Sequence, residues 1–394
     1  MAGSLSLIAN PGSASRKYAL YEGENERAQL HFEWWQGKVI CTMHRKGSQH
    51  LLHIDLRDLG AAASQVIPLL HANNVLQEQE EIDRIGLRIV APSAYFLEDR
   101  IIDDTVIASL EAIKQRAPIH IAATLEELHA LRKQFKDVLI IGVSDSGFHR
   151  TKPDYAWNYG ISLEVADRYE IKRFGYHGLS VASVVNELRA VGKLSPKLIV
   201  CHLGSGASVT ALHGGKSLDT TMGYSPLEGI VMSTRSGDID PTAVRALKDV
   251  CRLDDDGIED YLNNHSGLLG LGGSSDIREL LRRESDGDNR ARLALATYVY
   301  SVQKAVGQMT AALGGVDALV FTGTVGERSA AVRARVTTRL HYLDFVLDGQ
   351  TNQACESPEK VTVISRLAHS KPVYVLPANE SGEMVQRISQ TMLG

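Results

Sequence analysis

Residues 4–22, SLSLIANPGSASRKYALYE, and residues 197–220, KLIVCHLGSGASVTALHGGKSLDT, are built on one pattern. Each is a buried apolar run, then a turn of glycine and serine, then a second run in which apolar residues alternate. A side-chain period of two is the mark of a strand, so both read as hairpins. IANPGSAS and CHLGSGAS each lie near the start of their half, which points to duplicated domains, although a short match of small residues is weak by itself. A third run, in DALVFTGTVGERSAAVRARV at 317–336, goes strand, glycine loop, helix, with Ser329 as N-cap. Such turns bring backbone N–H groups and hydroxyls to a common point, and these concavities suit phosphate oxygens. One alone is a tight turn before it is a site. Three, at 10–17, 202–208 and 322–329, reverse that reading. The first also carries Arg16 and Lys17, and its Asn10 can orient an oxygen without adding charge.

The rest of the chain alternates strands with helices. Residues 24–58 are polar and aromatic with weak alternation and read as hairpins carrying Trp34 and Trp35. Helical spacing over 60–79 is interrupted by Pro68, and the segment 102–135 is helical in pieces, broken at Pro118. Buried strands follow the pattern RIGLRIV at 84–90 and DVLIIGV at 137–143, the latter ending on Ser144, Asp145, Ser146 and Gly147. Strands at 361–365 and 373–376 lead through PANES to a helix from about Gly382. This order predicts an α/β protein whose site lies at the strand ends.

Bulk properties remove several classes of function. At 394 residues the chain has room for two ordinary domains. Lys and Arg total 42 against 47 Asp and Glu, so the basic excess of a nucleic-acid binder is missing. The start, MAGSLSLIANPGSAS, has no basic leader region, and no apolar stretch approaches a bilayer span, so no membrane partner is expected. Cys41, Cys201, Cys251 and Cys355 lie far apart without a C-x-x-C pair, against a zinc site or disulfide framework and in keeping with a reducing cytoplasm. Three local motifs are turns. Gly214–Ser217 lacks the first glycine of a P-loop, GVSDSG at 142–147 misses the last glycine of a nucleophile elbow, and GSGASV at 204–209 lacks the third glycine of a dinucleotide fingerprint.

The stretch VMSTRSGDIDP at 231–241 has two readings. In one, Asp240 is an N-cap and Pro241 the first helical residue, where a missing N–H costs nothing. In the other, Arg235 faces an anion and Asp238 or Asp240 fixes the guanidinium. Both can hold at once.

The stretches LIANPGSASRKYAL, LRIV, APIH, DSGFHRTKP, FGYHGLS, HLGSGAS, GYSPLEGIVMSTRSGDIDP, SSDIREL, FTGTVGERS and LPANES occur in this order from residue 4 to the last helix, leaving only about 24–84 unmatched. In this the sequence resembles the acetate kinases and their propionate and butyrate kinase relatives, within the sugar kinase, Hsp70 and actin superfamily. The resemblance implies two ribonuclease-H-like α/β lobes with an interlobe active-site cleft. The N-terminal lobe would be 1–148 plus 382–394, and the nucleotide-binding lobe 149–381. It also implies a cytoplasmic homodimer that uses Mg²⁺ (or Mn²⁺) and ATP to phosphorylate a short-chain fatty acid reversibly.

That chemistry has one obstacle. An ionised carboxylate needs no base, but it must approach a phosphate, and two like charges about 4 Å apart repel by roughly 4 kcal/mol at an effective dielectric near 20. Cations and donors must therefore act on the phosphoryl group in transit. By the resemblance, Arg235 faces the carboxylate and the phosphoryl group, His177 of FGYHG donates to it, and Asp145 aligns the attack or acts through the metal. Arg88 would be the second substrate arginine, and Val90, Ile119, Tyr176 and Pro226 would line the alkyl pocket. Asn10, Ser13, Ser15 and Lys17 fit the phosphate hairpin, with Asn10 and Glu380 at the metal. The donor stretches would be His202, Leu203, Gly204, Ser205 and Gly206, then Asp276, Ile277 and Arg278, then Thr324, Val325, Gly326, Glu327 and Arg328.

The chain departs from the family pattern in four places. Ala91–Ala94 replace HGGE, Ile121–Thr124 replace an asparagine-proline run, and Ser205 replaces Asn. Where the family has GGIGEN, this chain has Gly323, Thr324, Val325, Gly326, Glu327 and Arg328. Thr324 adds a branched side chain where glycine permits close approach to a base, and Arg328 adds charge, which opens pyrophosphate or another nucleotide as donor. A catalytically silent nucleotide-binding module is the alternative of another class, and retention of Arg88, Asp145, His177, Arg235 and Glu380 weighs against it.

Overall fold

The computed structural model describes residues 3–12, 15–35, 37–45, 47–366 and 368–391. They form two compact units, one of Met1–Gly147 with Asn379–Gly394 and the other of Phe148–Ala378.

The first unit holds an eight-stranded sheet. In chain order its strands are β1 (Leu5–Pro11), β2 (Ser15–Glu22), β3 (Asn25–Trp35), β4 (Lys38–Arg45), β5 (Ser48–Leu52), β6 (Arg84–Ile89), β7 (Arg100–Ile101) and β8 (Leu139–Ser144). In space they run β5-β4-β3-β2-β1-β6-β8-β7. β1 pairs antiparallel with β2 and parallel with β6. Both faces of β1 are covered, which is why it reads as an unbroken apolar run. Leu5, Leu7 and Ala9 join the core that includes Ile121, Leu125 and Leu128 of the helix Pro118–Gln134. On the opposite face, Ile8 and Ile388 of the last helix crowd the place where Gly86 would carry a Cβ, at 2.8 and 3.3 Å. Strand parity then sets the site: Asn10 falls on the face of Ile8, and Arg88 on the face of Gly86.

Three elements of this unit differ from the sequence reading. The helix Ala62–Ala72 continues through Pro68, and Pro118 opens its helix at the first position instead of breaking one. The last helix runs Glu380–Thr391, so Glu380 lies in its first turn and not in the preceding loop.

A buried carboxyl lies beneath this sheet. Glu127 accepts a hydrogen bond from the Tyr18 hydroxyl at 2.7 Å, and burial pushes its pKa up to about 7, against smaller lowering effects of Tyr18 and Arg16. A carboxyl whose folded pKa is raised favours folding most at low pH, and that contribution fades as pH rises from about 4.5 through about 7. Glu127→Gln is therefore expected to flatten this part of the stability curve. Urea unfolding from pH 5 to pH 8 checks it, and identical slopes for the two proteins would contradict the assignment.

The second unit holds a six-stranded sheet of β9 (Lys197–Leu203), β10 (Ala207–His213), β11 (Lys216–Thr220), β12 (Ala318–Thr322), β13 (Thr362–Val363) and β14 (Val373–Val375), ordered β11-β10-β9-β12-β14-β13. β9 and β12 are parallel, with Thr322 beside His202, so both chains leave the sheet at the same edge. The helix Gly178–Ala190 supplies Val181, Val184, Val185 and Leu188 to the core beneath. The segment after β12 is not a loop: Gly323–Arg328 is a short helix, and Ser329 then caps the next one through the Val332 N–H. Gly323 makes the turn between strand and helix with φ of +76°, where a Cβ would meet the Leu203 carbonyl at 2.8 Å.

Candidate active site

The candidate side chains fall into two clusters, one in each unit. In the first unit Asn10, at the end of β1, donates through Nδ2 to Glu380 at 3.0 Å and accepts at Oδ1 from Arg88 at 3.1 Å. Arg88 also donates to Asp145 at 3.0 Å and lies 3.9 Å from the Glu380 carboxylate. Asp145 is fully buried just past β8, its own N–H bonded to the Ile89 carbonyl. Burial pulls the Arg88 guanidinium down, but the Asp145 and Glu380 carboxylates outweigh it and hold its pKa above the ordinary value. Arg88 Nε is a buried donor with no hydrogen-bond partner among the described residues. An unsatisfied buried N–H costs about 1–3 kcal/mol. An incoming carboxylate oxygen would relieve it.

The resemblance to the acetate kinases implies a divalent cation. Among the described residues no group of three or more His, Cys, Asp or Glu side chains could cage a metal. Mg²⁺ is commonly held by one or two carboxylates, with waters and substrate phosphates completing its shell. Glu380 and Asp145, hard oxygen donors joined through Arg88, fit a cation of that kind.

Lys17 is exposed, whereas its neighbour Arg16 is buried and turned to the other face of the hairpin. Ser15 is half-buried at the start of β2, and Ser13 lies outside the described residues. Val90 is 7% exposed, and Ile119 falls in the helix Pro118–Gln134 with its side chain outside the description.

In the second unit His177 adopts φ of +60° at the start of the helix Gly178–Ala190. Its Nδ1 meets the Ser208 hydroxyl at 3.0 Å, and His202 Nδ1 meets the Ser180 hydroxyl at 2.7 Å. The two imidazoles stack with centroids 4.2 Å apart. Each ring is held at Nδ1 by a serine hydroxyl. A Cβ on Gly206 would lie 3.2 Å from both His177 Nε2 and Arg235 Nη1, so imidazole and guanidinium converge over that glycine. Gly206→Ala should push them apart and lower turnover about tenfold, because small misplacements of catalytic groups are costly. Steady-state kcat checks this, and an unchanged kcat would show that the convergence does not matter.

Arg235 reaches the Pro226 carbonyl at 3.5 Å and the Met232 sulfur at 3.8 Å. The neighbouring acids serve the backbone. Asp240 caps the helix Pro241–Cys251 through the Thr242 and Ala243 N–H groups, and Asp238 accepts from the Gly229 N–H at 2.8 Å. The helix-entrance reading holds for Asp240, and the idea that either acid fixes Arg235 is corrected. Tyr176 is buried with its hydroxyl on the Tyr224 carbonyl at 2.7 Å, and Pro226, two residues after Tyr224, is buried as well.

The three stretches expected to meet the donor all lie in this unit. Leu203 is buried at the end of β9, Gly204 N–H binds the Gly206 carbonyl at 2.9 Å, and Ser205 is exposed between them. Asp276 caps the helix Ile277–Ser285 and pairs with the exposed Arg278 at 2.6 Å, while Ile277 points into the core. In the short helix, Thr324 and Arg328 are exposed and four residues apart on one face. Val325 and Glu327 are half-buried, Gly326 is buried, and Glu327 accepts from the Ala378 N–H at 3.3 Å.

The chain matches the Acetokinase family over residues 5–386. It belongs to the acetokinase family. It is 36% identical to the acetate kinase of Natranaerobius thermophilus, covering 98% of this chain and 99% of that protein. The acetate kinase of Thermoanaerobacter pseudethanolicus is 37% identical over 95% of each. Among solved structures, the acetate kinase of Porphyromonas gingivalis superposes with a TM-score of 0.86 at 33% identity over the full length of both. A propionate kinase from Francisella tularensis gives 0.88 at 31% identity over 98% of each. The fold is therefore the two-lobed one of sugar kinases, Hsp70 and actin, and the chain is an enzyme, a phosphotransferase with a carboxyl acceptor.

Several supporting groups escaped the sequence reading. Ser180 and Ser208 orient the two histidines, and the buried Thr322 and Ser146 hydroxyls beside the clusters have no hydrogen-bond partner among the described residues. For Ser208 a signal existed: on β10 it sits directly across from His202, a pairing that becomes visible once the hairpin register is known.

Proposed function

We propose that this chain transfers the γ-phosphoryl group of ATP, reversibly, to the carboxylate of acetate or a slightly longer acid such as propionate or butyrate. The observation that carries the reading is the buried Arg88 donor without a partner, set among Asn10, Asp145 and Glu380. Arg88 neutralises the acceptor carboxylate and orients it through that free N–H. His177 and Arg235, converging at Gly206, donate to the phosphoryl oxygens as charge moves from the leaving to the attacking oxygen. Asp145 keeps the Arg88 fork in one orientation. Val90, Ile119, Tyr176 and Pro226 limit the alkyl group. Asn10, Ser13, Ser15 and Lys17 take the donor phosphates, and the three stretches around 202–206, 276–278 and 324–328 take the nucleotide. Mg²⁺, or Mn²⁺, held by Glu380, Asp145 and Asn10, would supply charge neutralisation on those phosphates.

Thr324 and Arg328, exposed on one helical face, favour a second reading in which the donor pocket accepts pyrophosphate or another nucleotide. The experiment is a matrix of acetate, propionate and butyrate against ATP, GTP and pyrophosphate with Mg²⁺, read as acyl hydroxamate. Saturable ATP kinetics with no pyrophosphate product would remove the second reading. No product with any pair, alongside tight ATP binding, would favour a silent nucleotide-binding module and defeat both.

The homodimer and cytoplasmic location belong to the same proposal. The homodimer is supported by large apolar side chains left exposed along one stretch of the second unit, Tyr155, Ile161, Leu163, Val165 and Tyr169. Sedimentation at twice the 43.0 kDa chain mass is expected.

A further inference from the structure

The β1–β2 hairpin carries a buried ionic cluster on the face away from Asn10. Across the hairpin Asn10 pairs with Lys17 and Pro11 with Arg16, so adjacent basic residues leave the sheet on opposite sides. Arg16 is 4% exposed and packs beneath the sheet against the helix Pro118–Gln134. Its Nη2 donates to Glu126 at 2.8 Å, and its Nε lies 3.4 Å from Glu127, itself 1% exposed. Tyr18, one step along the same face, donates to the other oxygen of Glu127 at 2.7 Å. The Glu126 carboxylate reaches the guanidinium over Gly60, where a Cβ would clash with Oε1 at 2.3 Å. The remaining arm of Arg16, Nη1, donates to the Gly12 carbonyl and reaches the Ser15 carbonyl at 3.4 Å. Glu126 thus holds a fork, with the Glu127 carboxyl beside its Nε, whose remaining arm reaches the Gly12 and Ser15 carbonyls on the two sides of the hairpin.

A Leu or Met would fill this space with no charge to desolvate. Replacing a buried ion pair by apolar residues of similar volume is often neutral or stabilising, so such a pair is weak evidence for stability. What the guanidinium adds is direction. Tying the Gly12 and Ser15 carbonyls to one guanidinium fixes where the two arms of the hairpin end relative to each other. We infer that Arg16, held by Glu126 and lying beside Glu127, is a positioning residue that fixes Gly12 and Ser15, the two ends of the hairpin turn that takes the donor phosphates. This rests on the proposed role of that hairpin in binding the phosphoryl donor.

The test uses Arg16→Met and the double variant Arg16→Met/Glu127→Gln, which removes both charges and keeps an acceptor for Tyr18. With the buried pair removed as a unit, the double variant should melt close to the wild type. Its KM for the phosphoryl donor should rise about tenfold, as expected when a loop must be ordered at binding instead of beforehand. The KM for the carboxylate should change less than twofold. Amide hydrogen exchange over residues 10–17 should quicken at least tenfold while β6 and β8 keep their protection. A raised melting temperature with unaltered donor KM and tip exchange would overturn the inference, as would an equal rise in both KM values. Absence of any acyl phosphate from the wild type would defeat the functional reading, and the exchange measurement would still decide whether Arg16 orders the tip.

Discussion

Arg235→Ala is expected to lower turnover by about 10²–10³-fold, the loss typical when a donor aimed at developing charge is removed. The effect should appear in kcat more than in KM, since the donor acts on charge that develops during the transfer. Arg235→Lys should recover only part of the rate, since an ammonium offers a point charge and not a planar fork. A loss confined to KM, or one below tenfold, would mean that Arg235 binds a ground state and does not assist the transfer.

Arg88→Leu should be the most damaging change to the first unit. It leaves Asp145, with no exposed surface, and Glu380 without their shared counter-charge. Breaking a buried pair by removing one partner costs about 3–5 kcal/mol. Urea unfolding of the two proteins reads the loss directly. Destabilisation below about 1 kcal/mol would show that the ion pair with Asp145 contributes little to the fold. Carboxylate KM should rise as well, because the free Nε donor is lost.

The parts of this molecule that follow local rules were legible beforehand. Strand periodicity located β1, β2, β6, β8, β9 and β12, and Asp240–Pro241 announced a helix start that the structure bears out. What failed were features decided by neighbours remote in sequence. Pro68 looks like a break, yet packing carries the helix through it. Asp238 next to Arg235 invites an ion pair, yet the Gly229 N–H takes that carboxylate from across the loop. Arg16 and Lys17 look like one basic pair until the register sends them to opposite faces. The partners of His177 and His202 are serines with no motif of their own, so only the β9–β10 pairing and the helix after His177 could reveal them.

The last helix has a consequence for biosynthesis. Glu380, which joins Asn10 and Arg88, and Ile388, which covers Ile8 and Gly86, emerge from the ribosome only after the whole second unit has been made. Until then one face of the first sheet is bare and its acid-lined cluster is incomplete. A nascent chain can assemble the second unit but must hold the first open, and truncation near the C-terminus would strand the N-terminal sheet as an aggregation-prone intermediate.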